Sequence, residues 1–421
     1  MEKKIVAING VPVYSYTNPS QHSFFISLFL RAGSMYESVE ESGITHFFEH
    51  VAIRNINYLM GGELYSVLDK YGLEFNASTY SEMVQFYITG ASCNFRIAAE
   101  IISKLFLPVA LPKSEVDAER DRIRAEIREV DDKSSLATFS SSAVWTDTSL
   151  SRSITGTAGS VRRIGARALE SFRCHTFTAD NVFLYVTGNV NDGDIGYLSA
   201  LVGEGQLGDG EAHKNIAPVP LSFGKREPTV HVKNASFTKV RFTFDIDMSR
   251  MTLAEMDLLY DQLLGGYNSD FFIELSERRG LFYDLSGSLE RYANVGTFSF
   301  AYELKEAKLY EALEMTVKIL RQMKSEVIPS DKFVNASYVD NAMMLYDDAR
   351  ELNFTFAYDN HVMGVGYADL AERRAAYSSI TPERVREVAE EIFVISGLTI
   401  ALKGNKKRID TERIKNILTE L

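Results

Sequence analysis

The chain has 421 residues, 45% hydrophobic and 24% charged, the balance of a globular protein too long for one compact core. A formal net charge of −12 at pH 7 argues against nucleic acid as the main partner, because phosphate binding needs a basic surface. Two cysteines, Cys93 and Cys174, exclude a disulfide scaffold and read as reduced and buried.

The first strand signal is Ile5–Ile8, followed by Val11–Tyr16 across an Asn9-Gly10 turn. The apolar run at the start is only four residues, too short for a secretory signal. No later stretch nears the roughly 20 apolar residues of a membrane span. A cytoplasmic protein without membrane partners is therefore expected. Ser23–Arg31 suits a central strand. A helix is expected from about Gly43 and another over Gly62–Tyr71. Glu74–Thr79 and Met83–Gly90 read as paired strands, Phe95–Leu105 and Ser114–Asp131 as helices, the second capped by Ser114. Asn181–Gly188 is a further strand.

Glycines and prolines crowd Leu201–Pro228, from Gly203 to Pro228, and mark a linker. It separates a domain over residues 1–215 from one over 216–421. The second half repeats the order of the first. Val240–Ile246 is a strand, Leu253–Leu264 a helix, Phe282–Leu289 and Gly296–Tyr302 strands, and Leu309–Lys324 a helix. Pro329-Ser330-Asp331 then opens another helix, as Pro112-Lys113-Ser114 does in the first half. Aligning Ser330 with Ser114 gives an offset of 216 (330 − 114). The expected fold class is α+β: two similar domains, each an antiparallel-rich sheet with helices packed on one side.

The chemistry concentrates in Gly43-Ile44-Thr45-His46-Phe47-Phe48-Glu49-His50. Histidines four apart on a helix lie on one face, a turn apart, so both imidazoles can reach one metal ion. Glu49 points to the same side, where a carboxylate can accept a proton from an attacking water. A catalytic site needs a third ligand. The helix from Ser114 is rich in acids, among them Glu119 and Glu126, which share a face two turns apart.

His46-x-x-Glu49-His50 is the inverted zinc motif of the inverzincins. Its surroundings resemble the family of mitochondrial processing peptidase, pitrilysin and insulin-degrading enzyme. The resemblance extends to Arg31-Ala32-Gly33-Ser34-Met35-Tyr36-Glu37, to Asn76-Ala77-Ser78-Thr79, and to a glutamate 76 residues past the second histidine (126 − 50). It implies one Zn2+ per chain, held by His46, His50 and Glu126. It implies Glu49 as general base and Glu119 as the residue that fixes a ligand histidine. It also implies peptide binding along Asn76, Ala77, Ser78 and Thr79, with help from Tyr283, and a second domain without metal. The implied activity is zinc metalloendopeptidase action on short or unfolded peptides in a chamber formed by dimerisation. A dedicated maturation peptidase and a non-catalytic scaffold are the alternatives.

One position departs from the pattern. Family members carry an arginine in a segment like Leu-Arg-x-x-x-Gly-Leu-x-Tyr, where this chain reads Leu275-Ser276-Glu277-Arg278-Arg279-Gly280-Leu281-Phe282-Tyr283. Either Arg278 or Arg279 replaces the missing arginine, or the chain forms a heterodimer with a related subunit that carries the arginine–tyrosine pair.

Overall fold

Ser23–Leu30 forms a strand in which every residue from Phe24 onward is buried. Alternate residues of a strand face opposite sides, so this sheet must be covered on both faces. The computed structural model describes residues 1–133, 136–219, 229–265, 267, 269–282, 284–333 and 348–421. It divides into two units, Met1–Lys133 with Arg152–Asn215 and Met343–Leu370, and Ser134–Ser151 with Ile216–Ala342 and Ala371–Leu421.

The first unit holds strands β1 (Lys3–Val6), β2 (Pro12–Thr17), β3 (Ser23–Leu30), β4 (Glu74–Thr79), β5 (Val84–Ala91) and β6 (Val182–Gly188). They form one sheet in the order β1-β2-β6-β3-β5-β4. All pairings are antiparallel except β2 with β6. Phe24, Ile26, Leu28 and Leu30 enter the main core. There they meet Phe47, Phe48 and Val51 of helix α1 (Ile44–Leu59) and Phe95, Ala98 and Ile102 of the helix Phe95–Ile102. Each buried Phe, Ile, Leu or Val side chain among them contributes roughly 1.5–3 kcal/mol.

The opposite face carries Phe25 stacked on Tyr87, with ring centroids 4.9 Å apart. It is closed by the helix Ala349–Phe356. Asn353 on that helix is fully buried and accepts from Ser27 Oγ at 2.5 Å. Its Nδ2 donates to the carbonyls of Phe25 and Tyr185 at 3.2 and 2.9 Å. A carboxamide this buried is tolerated because its polar atoms are met. The main helical layer therefore packs on one side as expected, and one further helix seals the other.

The second unit repeats the plan with β7 (Thr229–Asn234), β8 (Thr238–Asp247), β9 (Asp284–Arg291), β10 (Val295–Leu304) and β11 (Leu398–Gly404). Their order is β7-β11-β8-β10-β9, and β7 runs parallel to β11 as β2 does to β6. Phe242 stacks on Phe300 at 4.9 Å, and Phe244 meets Phe393 edge-on. The helix Leu136–Val144, from the first half of the sequence, belongs to this unit and bonds Ser140 Oγ to Thr243 Oγ1 at 3.1 Å. Leu136–Val144 and Ala349–Phe356 start 213 residues apart (349 − 136), close to the offset of the repeat. Each half of the sequence thus gives one helix to the other half's sheet.

Several expectations change. The first strand is Lys3–Val6, two residues earlier than Ile5–Ile8, because Ala7–Gly10 is taken up by the turn, with Gly10 N–H on the Ala7 carbonyl. The helix expected from Ser114 starts at Lys113. Its first free N–H groups bond the Pro112 carbonyl, so Ser114 lies inside the first turn and is not the cap. Both cysteines are free, but Cys93 is exposed on a 3-10 turn and Cys174 half-buried, so neither is a core thiol. The helix expected after Ser330 falls outside the described residues. Among those described, no helix is long and apolar enough to cross a membrane.

Candidate metal centre

The site begins with the fixed start of α1. Gly43 sits at φ 88°, where a Cβ would lie 2.6 Å from the Thr155 carbonyl oxygen. Only glycine meets both demands. The buried Glu37 carboxylate accepts from the N–H groups of Gly43 (2.8 Å) and Thr45 (3.0 Å). An acceptor and a negative charge at a helix N-terminus satisfy otherwise orphaned donors there. Burial pushes the Glu37 carboxyl up, against these bonds.

One turn of α1 then carries His46, Glu49 and His50, all largely buried at 11, 12 and 16% side-chain exposure. A second helix, α2 (Leu64–Tyr71), and a third, α3 (Phe95–Ile102), precede α4 (Lys113–Lys133), which faces α1 with Glu119 and Glu126. Glu126 Oε2 lies 3.4 Å from His46 Nε2 and 3.7 Å from His50 Nε2. Tetrahedral ligation with zinc bonds of about 2.0–2.1 Å sets donor atoms about 3.3–3.4 Å apart. The two imidazole nitrogens and one carboxylate oxygen thus have the identity and spacing of a zinc donor set. His46, His50 and Glu126 form the one such group among the described residues, with their donors within 4.8 Å of one another.

The outer contacts fix the candidate ligands. Glu119 Oε2 meets His50 Nδ1 at 3.3 Å, which leaves Nε2 to face Glu126. Arg54, one turn further along α1, donates to Glu119 and Glu115, each at 2.6 Å. The His50 bond and Arg54, working against burial, hold the Glu119 carboxyl below the ordinary range. Glu49 Oε2 accepts from Thr79 Oγ1 at 2.5 Å and lies 3.6 Å from His46 Nδ1. Burial pushes Glu49 up, but these partners outweigh it and keep the group ionised at neutral pH. Burial likewise pushes His46 down, yet Glu126 and Glu49 together raise it to about 9.

These groups line a cleft of about 1150 Å³. β4 forms one wall, with Asn76, Ala77, Ser78 and Thr79 in the lining. It is the end strand of its sheet, paired only with β5. Its Ala77 N–H is met by Asn76 Oδ1 at 2.9 Å. Ile53, Tyr58, Tyr65, Phe75 and Leu111 add apolar surface.

The structure therefore brings together His46, Glu49, His50, Glu119, Glu126 and Asn76–Thr79. Tyr283 lies outside the described residues. Ser276 sits in a π-helical turn, Phe272–Glu277; Arg278 pairs there with Glu274, and Arg279 is exposed. Sequence reasoning missed Arg54, although its spacing of four from His50 places it on the ligand face. It also missed the bond from Thr79 to Glu49, which depends on tertiary approach. His175, the neighbour of Cys174, bonds the Ser171 carbonyl at 2.6 Å, and the Cys174 thiol contacts Glu170.

Because Glu119 orients His50, Glu119→Gln is expected to weaken zinc binding by about 10–100-fold. Chelator competition measures this. Unchanged affinity would mean that His50 is held by its helix alone.

The insulinase (peptidase family M16) model matches residues 12–158, and the model of the M16 inactive domain matches 163–336. The uncharacterized zinc protease YmxG of Bacillus subtilis is 21% identical over 397 residues, 93% of this chain and 96% of that one. An uncharacterized zinc protease of Rickettsia felis is 26% identical over 391 residues, 91% of this chain and 90% of that one. The crystal structure of a protease from Helicobacter pylori superposes with a TM-score of 0.84 at 17% identity, covering 96% of this chain and 99% of that one. With both family models matched in sequence order across its two halves, the chain belongs to peptidase family M16.

Proposed function

We propose that the chain is a zinc metalloendopeptidase that cleaves short or unfolded peptides. The observation that carries this reading is the convergence of two imidazoles and Glu126 beside an ionised Glu49, in the cleft that β4 borders. Zinc, when bound by His46, His50 and Glu126, would polarise the scissile carbonyl and acidify the attacking water. The peptide backbone pairs with the outer edge of β4 by strand addition, which selects extended chains over folded ones. That pairing displaces Asn76 Oδ1 from the Ala77 N–H. Glu49, oriented by Thr79, takes the proton of the attacking water and passes it to the leaving amine. Glu119 and Arg54 hold His50 in place.

The chain works in a dimer whose partner is a related subunit with the arginine–tyrosine pair. Ser276 supports this, since serine lacks the charged fork of arginine. Arg278 is engaged by Glu274 on its own turn. The test assays zinc-loaded chain on unstructured peptides, alone and mixed with such a subunit, with and without chelator. Chelator-sensitive cleavage that rises at least about tenfold on mixing is expected, the value of one charge-assisted contact. No cleavage under any condition would defeat the peptidase reading. Full activity of the isolated chain, lost in Arg278→Ala or Arg279→Ala, would replace the heterodimer by a homodimer.

A further inference from the structure

Six charged side chains line the cleft: Glu49, Arg54, Glu115, Glu119, Arg122 and Glu126. Five have partners within the wall. Glu49 meets Thr79 and His46, Arg54 joins Glu115 to Glu119, and Glu126 meets both ligand histidines. Arg122 is exposed and makes no hydrogen bond or ion pair within 4 Å among the described residues. The other arginines near it on α4 are engaged: Arg120 with Asp117 and the Ile164 carbonyl, Arg124 with Asp121. An exposed arginine is usually there for solubility. This one lies in the wall of the cleft, four residues before Glu126 on the same helix face.

We propose that Arg122 is a specificity-determining residue that binds a substrate carboxylate close to the scissile bond. The proposal rests on the peptidase reading of the same cleft. A guanidinium offers carboxylate a planar, two-pronged, permanently charged donor. Arg122 attracts Glu126, four residues on, without a hydrogen bond or ion pair among the described residues, and Glu126 is already held by the two histidines. The guanidinium donors therefore stay open to a carboxylate of the incoming chain. Four residues of helix separate Arg122 from Glu126 by about 6 Å along the axis. An extended peptide rises about 3.3 Å per residue, so the carboxylate belongs about two residues from the bond held at the histidines. The net charge of −12 repels acidic peptides at long range. Beyond a screening length of about 8 Å that repulsion fades, whereas a direct contact persists. The shared chemistry is a carboxylate, from either an Asp or Glu side chain or a peptide C-terminus.

The experiment uses the complete active assembly and peptide pairs that differ by Glu against Gln at each position flanking the cleaved bond. A parallel set differs by free against amidated C-terminus. Specificity is read as kcat/KM, and binding is read separately with the zinc-loaded Glu49→Gln protein. Native protein is expected to favour the carboxylate peptide by at least about tenfold. Arg122→Met, which keeps the apolar stem, should erase the preference at unchanged zinc content, and Arg122→Glu should turn it toward Lys. A preference that follows the internal Glu assigns a side chain, and one that follows the free end assigns the C-terminus. Native protein without preference, or an Arg122→Met protein that keeps it, overturns the proposal. If no peptide is cleaved, the peptidase reading falls, and the binding arm still decides Arg122.

Discussion

Glu49→Gln is expected to keep its zinc and to lose at least about 10²-fold in peptide turnover, the usual scale for removing a general base. The two halves of this result come from different contacts. Zinc retention follows because His46, His50 and Glu126 converge without Glu49, whose carboxylate is directed at Thr79 and at the Nδ1 side of His46. Glutamine is close to isosteric and can still accept from Thr79, so the local fold survives. It cannot take a proton at neutral pH, which is the step proposed for Glu49. The measurement is metal content alongside kcat on one unstructured peptide. A zinc-loaded Glu49→Gln protein with near-native turnover would remove Glu49 from the chemistry. A variant that loses zinc would make Glu49 a ligand instead.

The parts of the molecule that were legible in the sequence are those where local pattern and tertiary role coincide. The run Phe24–Leu30 is apolar throughout because both faces of β3 are covered, and it reads as a central strand. The turn at Asn9-Gly10 is legible because Gly10 adopts φ 92°. The convergence of His46 and His50 could be read from their spacing alone, and that of Glu126 from its place on an acidic helix together with the family resemblance. What escaped is set by tertiary contact. The helix Leu136–Val144 contains three consecutive serines and a threonine, weak helix formers that give no clear signal. It is helical because β8 and β11 of the second unit offer it a face, with Ser140 bonded to Thr243. The helix Asp192–Gly203 was overlooked for a related reason. Its three glycines are weak helix formers and its last residues, from Leu201, fall in the expected linker, yet Asn191 caps it through the Asp194 N–H and Ile195, Leu198 and Val202 anchor it. In the site, Arg54 was legible by spacing and unassigned, because its role depends on α4 standing opposite.

Glu126→Gln is expected to weaken zinc binding by more than about 100-fold, beyond the 10–100-fold typical of an outer-contact residue such as Glu119. The variant removes a charged ligand and also the main anionic partner of His46. In the metal-free protein Glu126 and Glu49 hold His46 at about 9, against the effect of burial. Its unfolded value is about 6.5. A raised pKa means that the protonated form is favoured by folding. The resulting stabilisation is complete below about pH 6.5 and disappears as pH rises through about 9. In the chelator-stripped state, the stability difference between native and His46→Gln proteins should therefore shrink across that window. Zinc needs the neutral imidazole, so its binding displaces this proton, and zinc affinity should rise with pH over the same range. Calorimetric titration in buffers of different ionisation enthalpy should give about one proton released per zinc at pH 7.5 for native protein. Glu126→Gln should release less, since His46 has lost a partner that keeps it charged. Native-like zinc affinity in Glu126→Gln would transfer the third ligand to another α4 carboxylate, with Glu119 first in line. Proton release unchanged by the substitution would show that Glu49 alone sustains the charge on His46.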